Sequence, residues 1–219
     1  MSDKSSPIGI FDSGLGGLTV VKRILEKLPD ESVVYVGDTA RIPYGPKSPT
    51  VIQDFSRQLS RFLLGRDVKA IVVACNTASA FGLSVLSEFV EVPVLGVVGP
   101  SARAAAAASS SGRIGVIGTK GTIGSEAYQN AILTINPEAR VFARPAPLLV
   151  PMIEEGHHDD EIVRLALGMY LDDLLDQKVD TLVLGCTHYP LLIDTIQKFV
   201  GDDVTVVDSA GAAADELAA

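Results

Sequence analysis

The sequence predicts an α/β protein with mainly parallel sheets, laid out as two similar units, and three observations carry that expectation. Of the 219 residues 47% are hydrophobic, yet only 5% are aromatic and none is Trp. The apolar mass is therefore Ala, Val, Leu and Ile, the side chains that fill parallel sheets covered by helices. Short Val- and Ile-rich runs alternate along the chain with stretches of helical period. Two of those runs, finally, end in the same way.

Strands are expected at 8–11, 32–36, 70–74, 93–97, 113–117, 181–184 and 204–207. After the first, Leu18, Val21, Leu25 and Leu28 recur every three to four residues and Pro29 closes the pattern, so a helix with that face inward is expected. Ser48-Pro49 reads as an N-cap followed by Pro at the first helical position, and Ile52, Phe55, Leu59 and Phe62 form one face of the next helix. The alanine run 104–108 ends a helix before the strand at Arg113 and is assigned no function. Strand alternating with helix implies parallel strands joined by right-handed crossovers, with ligands at the carboxyl ends of the strands.

The repeat sits at those ends. Val68-Lys-Ala-Ile-Val-Val-Ala-Cys75-Asn76-Thr77 aligns with Val179-Asp-Thr-Leu-Val-Leu-Gly-Cys186-Thr187-His188. A second echo, Ile8-Gly-Ile-Phe-Asp12-Ser13-Gly14 against Ile114-Gly-Val-Ile-Gly118-Thr119-Lys120, falls in the same order at nearly the same offset. Apolar strands match one another cheaply, but two ordered matches do not arise cheaply.

With 27 acidic against 18 basic residues and a net charge of -9, the chain opposes the counterion release that drives nucleic-acid binding. No nucleic-acid partner is expected. Residues 1–7 carry no apolar targeting stretch, and no apolar run approaches the length of a membrane span. A cytoplasmic protein without a membrane partner is the expectation, and in that compartment two distant cysteines are free thiols rather than a disulfide.

A cysteine between a buried strand and a helix lies where unpaired helix N–H groups and the helix dipole favour the thiolate, so both sulfurs are expected to have low pKa values. His188, two residues past Cys186, is suited to exchange a proton with it. The plain alternative is that each cysteine is a buried small hydrophobe. Three chemistries compete: a Cys-His hydrolase or transferase, which leaves one thiol unused; a zinc held by Cys75, Cys186 and His188, cramped within one turn; and two thiols acting on opposite faces of a carbon acid, which inverts a stereocentre. The last needs no cofactor. Gly14 to Thr19 fails the dinucleotide fingerprint at Thr19, no phosphate-binding loop occurs, and no lysine has a context marking a pyridoxal phosphate Schiff base. The glycines read instead as a tight turn whose N–H groups can hold a carboxylate.

Taken together, Ile8-Gly-Ile-Phe-Asp12-Ser13-Gly14-Leu-Gly-Gly17, Gly37-Asp38 with Pro43-Tyr44-Gly45, Ala74-Cys75-Asn76-Thr77 and Leu184-Gly-Cys186-Thr187-His188-Tyr-Pro190 closely resemble the bacterial glutamate racemases of the aspartate/glutamate racemase superfamily. The resemblance runs through essentially the whole chain. It implies two three-layer α/β domains related by a pseudo-twofold, 1–97 plus 207–219 and 98–206, with the active site in the cleft between them. It implies cofactor-independent two-base racemisation of L- and D-glutamate, supplying D-glutamate for peptidoglycan, and a homodimer; aspartate or another acidic amino acid is the rival substrate.

By the same resemblance Cys75 serves the D-enantiomer and Cys186 the L-enantiomer. Asp12 assists Cys75, His188 assists Cys186, and Glu154 and Asp38 are supporting carboxylates. Asp12, Ser13, Tyr44, Gly45, Asn76, Thr77, Thr187 and His188 match the substrate contacts. Their amide, hydroxyl and backbone donors suit two carboxylates, and a carboxylate suits the ammonium. Other readings stand beside these: Asp12 as a helix N-cap, Tyr44 as a turn residue, and Glu154-Glu155-Gly156 as a solvated helix end. His157 and His158 are expected on the surface. The resemblance also implies several dozen residues beyond 206–210, so a shortened first domain with an exposed core edge and reduced stability is expected.

Overall fold

The computed structural model describes residues 5–219; the first four positions of the N-terminal segment read above lie outside the described residues. The first half runs β1 (Ile8–Asp12), α1 (Leu18–Lys27), β2 (Val33–Gly37), α2 (Pro49–Leu64), β3 (Ala70–Val73), α3 (Asn76–Leu86), β4 (Val94–Gly96) and α4 (Val98–Ala108). The second runs β5 (Arg113–Gly118), α5 (Lys120–Gly124), α6 (Ala127–Ile135), β6 (Arg140–Pro145), α7 (Leu149–Glu154), α8 (Glu161–Asp176), β7 (Thr181–Gly185), α9 (Ile193–Val200), β8 (Thr205–Asp208) and α10 (Ser209–Ala218). Both sheets are parallel, in the orders β2-β1-β3-β4 and β6-β5-β7-β8. The repeat read from the strand ends is thus a repeat of topology, with one cysteine after the third strand of each sheet.

Period-two burial explains why these runs are central strands. Along β1, Ile8 and Ile10 face α1 and α10, whereas Phe11 faces α2 and α3. In β7, Leu182 and Leu184 join the core under α8 and α9, and Val183 joins the core under α4 and α6. Each such fully buried side chain contributes about 1.5–3 kcal/mol. With both faces covered, the central strands read as continuous apolar runs.

Three expectations need correction. The strand β6 was absent from the sequence reading: Arg-Val-Phe-Ala-Arg-Pro lies at a sheet edge, with no fully buried residue, so it carries charge and a proline that a central strand excludes. In α1 the buried residues are Val20 and Ile24, while Leu18 and Leu25 are exposed. In α2 the face is Ile52, Ser56, Leu59 and Leu63, and Phe62 points outward beneath the Arg66 guanidinium. Serine replaces a larger apolar residue there because α3 comes close: a Cβ at Gly82 would lie 2.5 Å from the Ser56 hydroxyl.

The chain crosses between the two sheets twice, after β4, where α4 packs on the second sheet, and after β8, where α10 packs on the first. The latter helix packs on α1 and α4, and its Ala210, Ala213 and Ala214 share a core with Ile10 and Val72 of the first sheet. Ion pairs Lys27–Asp215 and Arg103–Glu216 flank it. Among the described residues no helix is long and apolar enough to cross a membrane.

Candidate active site

The carboxyl ends of both sheets open onto one cavity of about 460 Å³. Cys75 and Cys186 both line it, together with Ser13, Tyr44, Gly45, Asn76, Thr77, Thr187, His188 and Glu154. Asp12 and Asp38 stand behind that lining. Ser13, Cys75 with Asn76 and Thr77, and Cys186 with Thr187 and His188 follow closely on β1, β3 and β7, so buried strands fix where these side chains emerge, whereas Tyr44 and Gly45 come from the longer segment after the edge strand β2 and Glu154 from the end of α7.

Around Cys75 the local groups are polar and acidic. Cys75 caps α3, its sulfur accepting the Ala78 N–H at 3.4 Å, and the neighbouring Ser13 acts to lower the pKa of the same sulfur. Asp12 is fully buried; its Oδ2 accepts the N–H groups of Gly14 (3.0 Å) and Gly17 (2.9 Å), while Oδ1 has no hydrogen-bond partner among the described residues. One oxygen therefore holds the turn into α1, and the other remains a buried acceptor. Burial raises the Asp12 pKa, against the lowering effect of the Gly17 and Gly14 N–H groups.

Around Cys186 the groups form a relay. The Cys186 sulfur lies 3.9 Å from His188 Nδ1, and His188 Nε2 lies 3.1 Å from Glu154 Oε1. A neutral imidazole protonated on Nε2 satisfies both contacts, donating to Glu154 and accepting from the thiol. Glu154 ends α7 and is exposed, so the solvated helix end and the contact with His188 are both present. His157 pairs with Asp160 at 2.6 Å outside the cavity, and His158 is exposed.

The expectation of low thiol pKa values is reversed. Burial pushes both up to about 12, with the Asp12 carboxyl as the next cause for Cys75. For Cys186 the N–H of His188 lowers the value, and Cys75 raises it in turn. The α3 N-terminus does point at Cys75, and the N–H groups of His188 and Tyr189 act on Cys186 in the same sense, but removing a thiolate from water costs more than a few N–H dipoles return.

Asp38 does not line the cavity and contacts Tyr44, which does. It accepts the Tyr44 hydroxyl at 2.5 Å and pairs with Arg41 at 2.7 Å, which pins the tyrosine ring against the cavity and beside Phe55. Across the cleft, the hydroxyls of Thr77, Thr119 and Thr122 lie 2.9–3.0 Å from one another. Gly121 N–H donates to the Gly45 carbonyl at 2.9 Å, and a Cβ at Gly121 would meet that oxygen at 2.7 Å. On the other side the Thr19 hydroxyl donates to the Thr187 carbonyl at 2.9 Å, and a Cβ at Gly16 would sit 2.6 Å from the His188 ring. Glycine is required at both seams so that the halves can meet this closely.

Sequence reasoning did not find Ile42, Pro46, Thr119, Lys120, Pro147, Val150 and Pro151 in the lining. Thr119 was within reach, because the strand echo aligns it with Ser13. The zinc alternative has no ligand set: among the described residues no group of three His, Cys, Asp or Glu side chains is placed to share a metal ion.

Comparison with known proteins places this geometry. A glutamate racemase of Geobacter metallireducens is 55% identical over 203 residues, covering 93% of this chain and 75% of that one. The crystal structure of a glutamate racemase isoform from Bacillus anthracis superposes with a TM-score of 0.95 at 45% identity, covering 98% of this chain and 81% of the other. A Francisella tularensis glutamate racemase solved in complex with D-glutamate gives 0.90 at 42% identity, covering 97% and 80%. With the profile of the Asp/Glu/Hydantoin racemase family matching residues 8–217, the chain belongs to that family.

Proposed function

We propose that this protein interconverts L- and D-glutamate by a two-base mechanism, supplying D-glutamate for peptidoglycan. The observation that carries the reading is the pair of thiols, one after the third strand of each sheet, lining a single cavity. The relatives' names supply glutamate as the substrate.

In this reading a thiolate removes the α-proton from one face while the opposite thiol delivers its proton to the other face, leaving the first sulfur protonated and the second as thiolate. Cys75 acts on the D-enantiomer and Cys186 on the L-enantiomer. Asp12 assists the first, and His188, oriented by Glu154, assists the second. Ser13, Tyr44, Gly45, Asn76, Thr77, Thr187 and His188 contact the substrate, while Asp38 supports Tyr44.

Magnitudes decide whether a buried thiol can do this. A rise from an ordinary 9.0 to about 12 disfavours the thiolate by on the order of 4 kcal/mol. A substrate ammonium brought to about 4 Å from the sulfur returns about 4 kcal/mol at an effective dielectric of about 20. The substrate's ammonium thus works against the burial cost, while its two carboxylates work with it unless the N–H and O–H donors around them neutralise their charge. Stabilisation of the resulting carbanion falls to the surrounding N–H and O–H donors and to exclusion of water.

The chain's division into 1–97 plus the tail, and the segment between, is part of the same proposal, with one adjustment. Because β8 runs to Asp208 in the second sheet, the return to the first half begins at Ser209. A cytoplasmic homodimer completes the reading. Incubation in deuterated water with L-glutamate, and separately with D-glutamate, is expected to place deuterium at the α-carbon of the inverted product. Exchange with aspartate but not glutamate would reassign the substrate, and an acyl-enzyme without exchange would overturn the mechanism.

A further inference from the structure

The Asn76 amide has a fixed orientation, and the residue that fixes it comes from the other half of the molecule. Tyr128, on α6, is fully buried. Its hydroxyl donates to Asn76 Oδ1 at 2.6 Å, and Asn76 Nδ2 donates to the hydroxyl of Ser209, the first residue of α10, at 3.1 Å. Both partners are hydroxyls, each able to donate or accept, so the amide is held at its two ends. One N–H of Asn76 is left over, on a residue that lines the cavity.

The same tyrosine ring rests on the other cysteine turn: a Cβ at Gly185 would lie 3.0 Å from its ring edge. Asn76 follows Cys75 and Gly185 precedes Cys186, so one side chain touches both turns. Burial raises the Tyr128 pKa further above its ordinary value, which keeps the hydroxyl a donor through the working pH range.

We infer that Tyr128, with Ser209, is a positioning residue that orients the Asn76 amide toward the substrate and sets the spacing of the two cysteine turns. The inference rests on the racemase reading for its kinetic consequences but not for its structural one. Tyr128→Phe keeps the ring on Gly185 and removes only the hydrogen bond. It is expected to raise KM for both enantiomers about fivefold with a smaller fall in kcat, the scale of one lost hydrogen bond. Ser209→Ala is expected to act in the same direction, and the double variant to lose less than the product of the single losses, because both act on one amide.

The independent readout is Asn76 itself. The chain has three asparagines, Asn76, Asn130 and Asn136, so asparagine-selective 15N labelling gives three side-chain NH2 pairs, and Asn76→Asp identifies the relevant one. Its protection from hydrogen exchange is expected to drop in Tyr128→Phe without added substrate. Unchanged KM with unchanged protection, or losses that multiply, would overturn the inference. A lowered Tm with KM intact would reduce Tyr128 to a packing residue and overturn it equally. Should Tyr128→Phe fail to fold, Ser209→Ala reads the same amide from its other side. Should the wild-type protein fail to exchange glutamate, the racemase reading falls while the NH2 protection still decides the role of Tyr128.

Discussion

The two thiols occupy equivalent mounts with unlike company. Following the strand echo, Asp12 corresponds to Gly118, Ser13 to Thr119 and Thr77 to His188. The first mount therefore has a buried carboxylate where the second has a glycine, and a hydroxyl where the second has an imidazole. Cys75 sits at the start of a three-turn helix and receives its N–H. Cys186 is followed by a 3₁₀ turn, Tyr189–Leu192, and leans on His188. The fold repeats the position of a sulfur, while the groups that tune it belong to each half alone. A substrate with two distinguishable faces needs that arrangement: alike in distance, different in proton traffic.

Removing either sulfur breaks the comparison most severely. Cys75→Ala and Cys186→Ala are each expected to lower racemisation by about 10³-fold or more, within the range for a positioned acid or base, while substrate binding measured by calorimetry stays near wild type. Full turnover in either variant would show that one mount suffices.

The accessory groups sharpen it. His188→Asn is expected to lower kcat/KM about 10²-fold. Because the equilibrium constant between enantiomers is one, that loss must be equal in both directions. The asymmetry appears elsewhere, as a larger primary deuterium isotope effect with L-glutamate, whose α-proton Cys186 removes. Asp12→Asn is expected to give the mirror pattern with D-glutamate. It also carries a stability signature: the raised Asp12 pKa means that its contribution is present below the unfolded value of 3.8 and lost as pH rises through the folded one. At neutral pH Asp12→Asn should therefore be more stable, by about 1 kcal/mol or 2–4 °C in Tm for a chain of this size, and equal stability would argue against a buried charge.

A last effect, on stability alone, tests what the mounts share. Unfolded thiols lose their protons near pH 9, whereas the folded ones hold them to about 12. Between those values the unfolded state binds fewer protons, so stability falls as pH rises. Urea unfolding from pH 8.5 to 10 is expected to show a steeper decline in wild type than in the double Cys→Ala variant, by about 1–2 kcal/mol per pH unit for the two thiols together. Buried tyrosines with raised pKa values, such as Tyr35 and Tyr44, add a decline of the same sign to both proteins, so only the difference is diagnostic.

Legibility in the sequence followed burial. Central strands announce themselves because both faces are apolar, and the echo alone locates Cys75, Cys186 and His188 at their ends, whereas Asp38, Tyr44 and Glu154 come only with the family resemblance. The edge strand β6 obeys no such pattern, and more than one strand depends on it: the turn and α7 after it bring Pro147, Val150 and Pro151 to the cavity wall, which the Ile42 to Pro46 segment following the equivalent strand β2 also lines. The apolar periodicity of α1 suited Leu18 and Leu25 as well as Val20 and Ile24, and only the position of α10 chooses between them. The thiol pKa values were misjudged for a different reason. Spacing shows which dipoles lie near a sulfur, but the depth of water exclusion is a property of the closed cleft.

The alanine run that carried no meaning in the sequence has one in the assembly. Helices α4 and α10 follow the two chain crossings and pack on each other, and the side chains that they bury include Ala102, Ala105, Ala210, Ala213 and Ala214. The two sets serve different cores: Ala102 and Ala105 lie with Ile114 and Val116 of the second sheet, and Ala210, Ala213 and Ala214 with Ile10 and Val72 of the first. Small side chains let each helix lie close on its own sheet, so the same composition that looks featureless along the chain fastens each crossing to the sheet it enters.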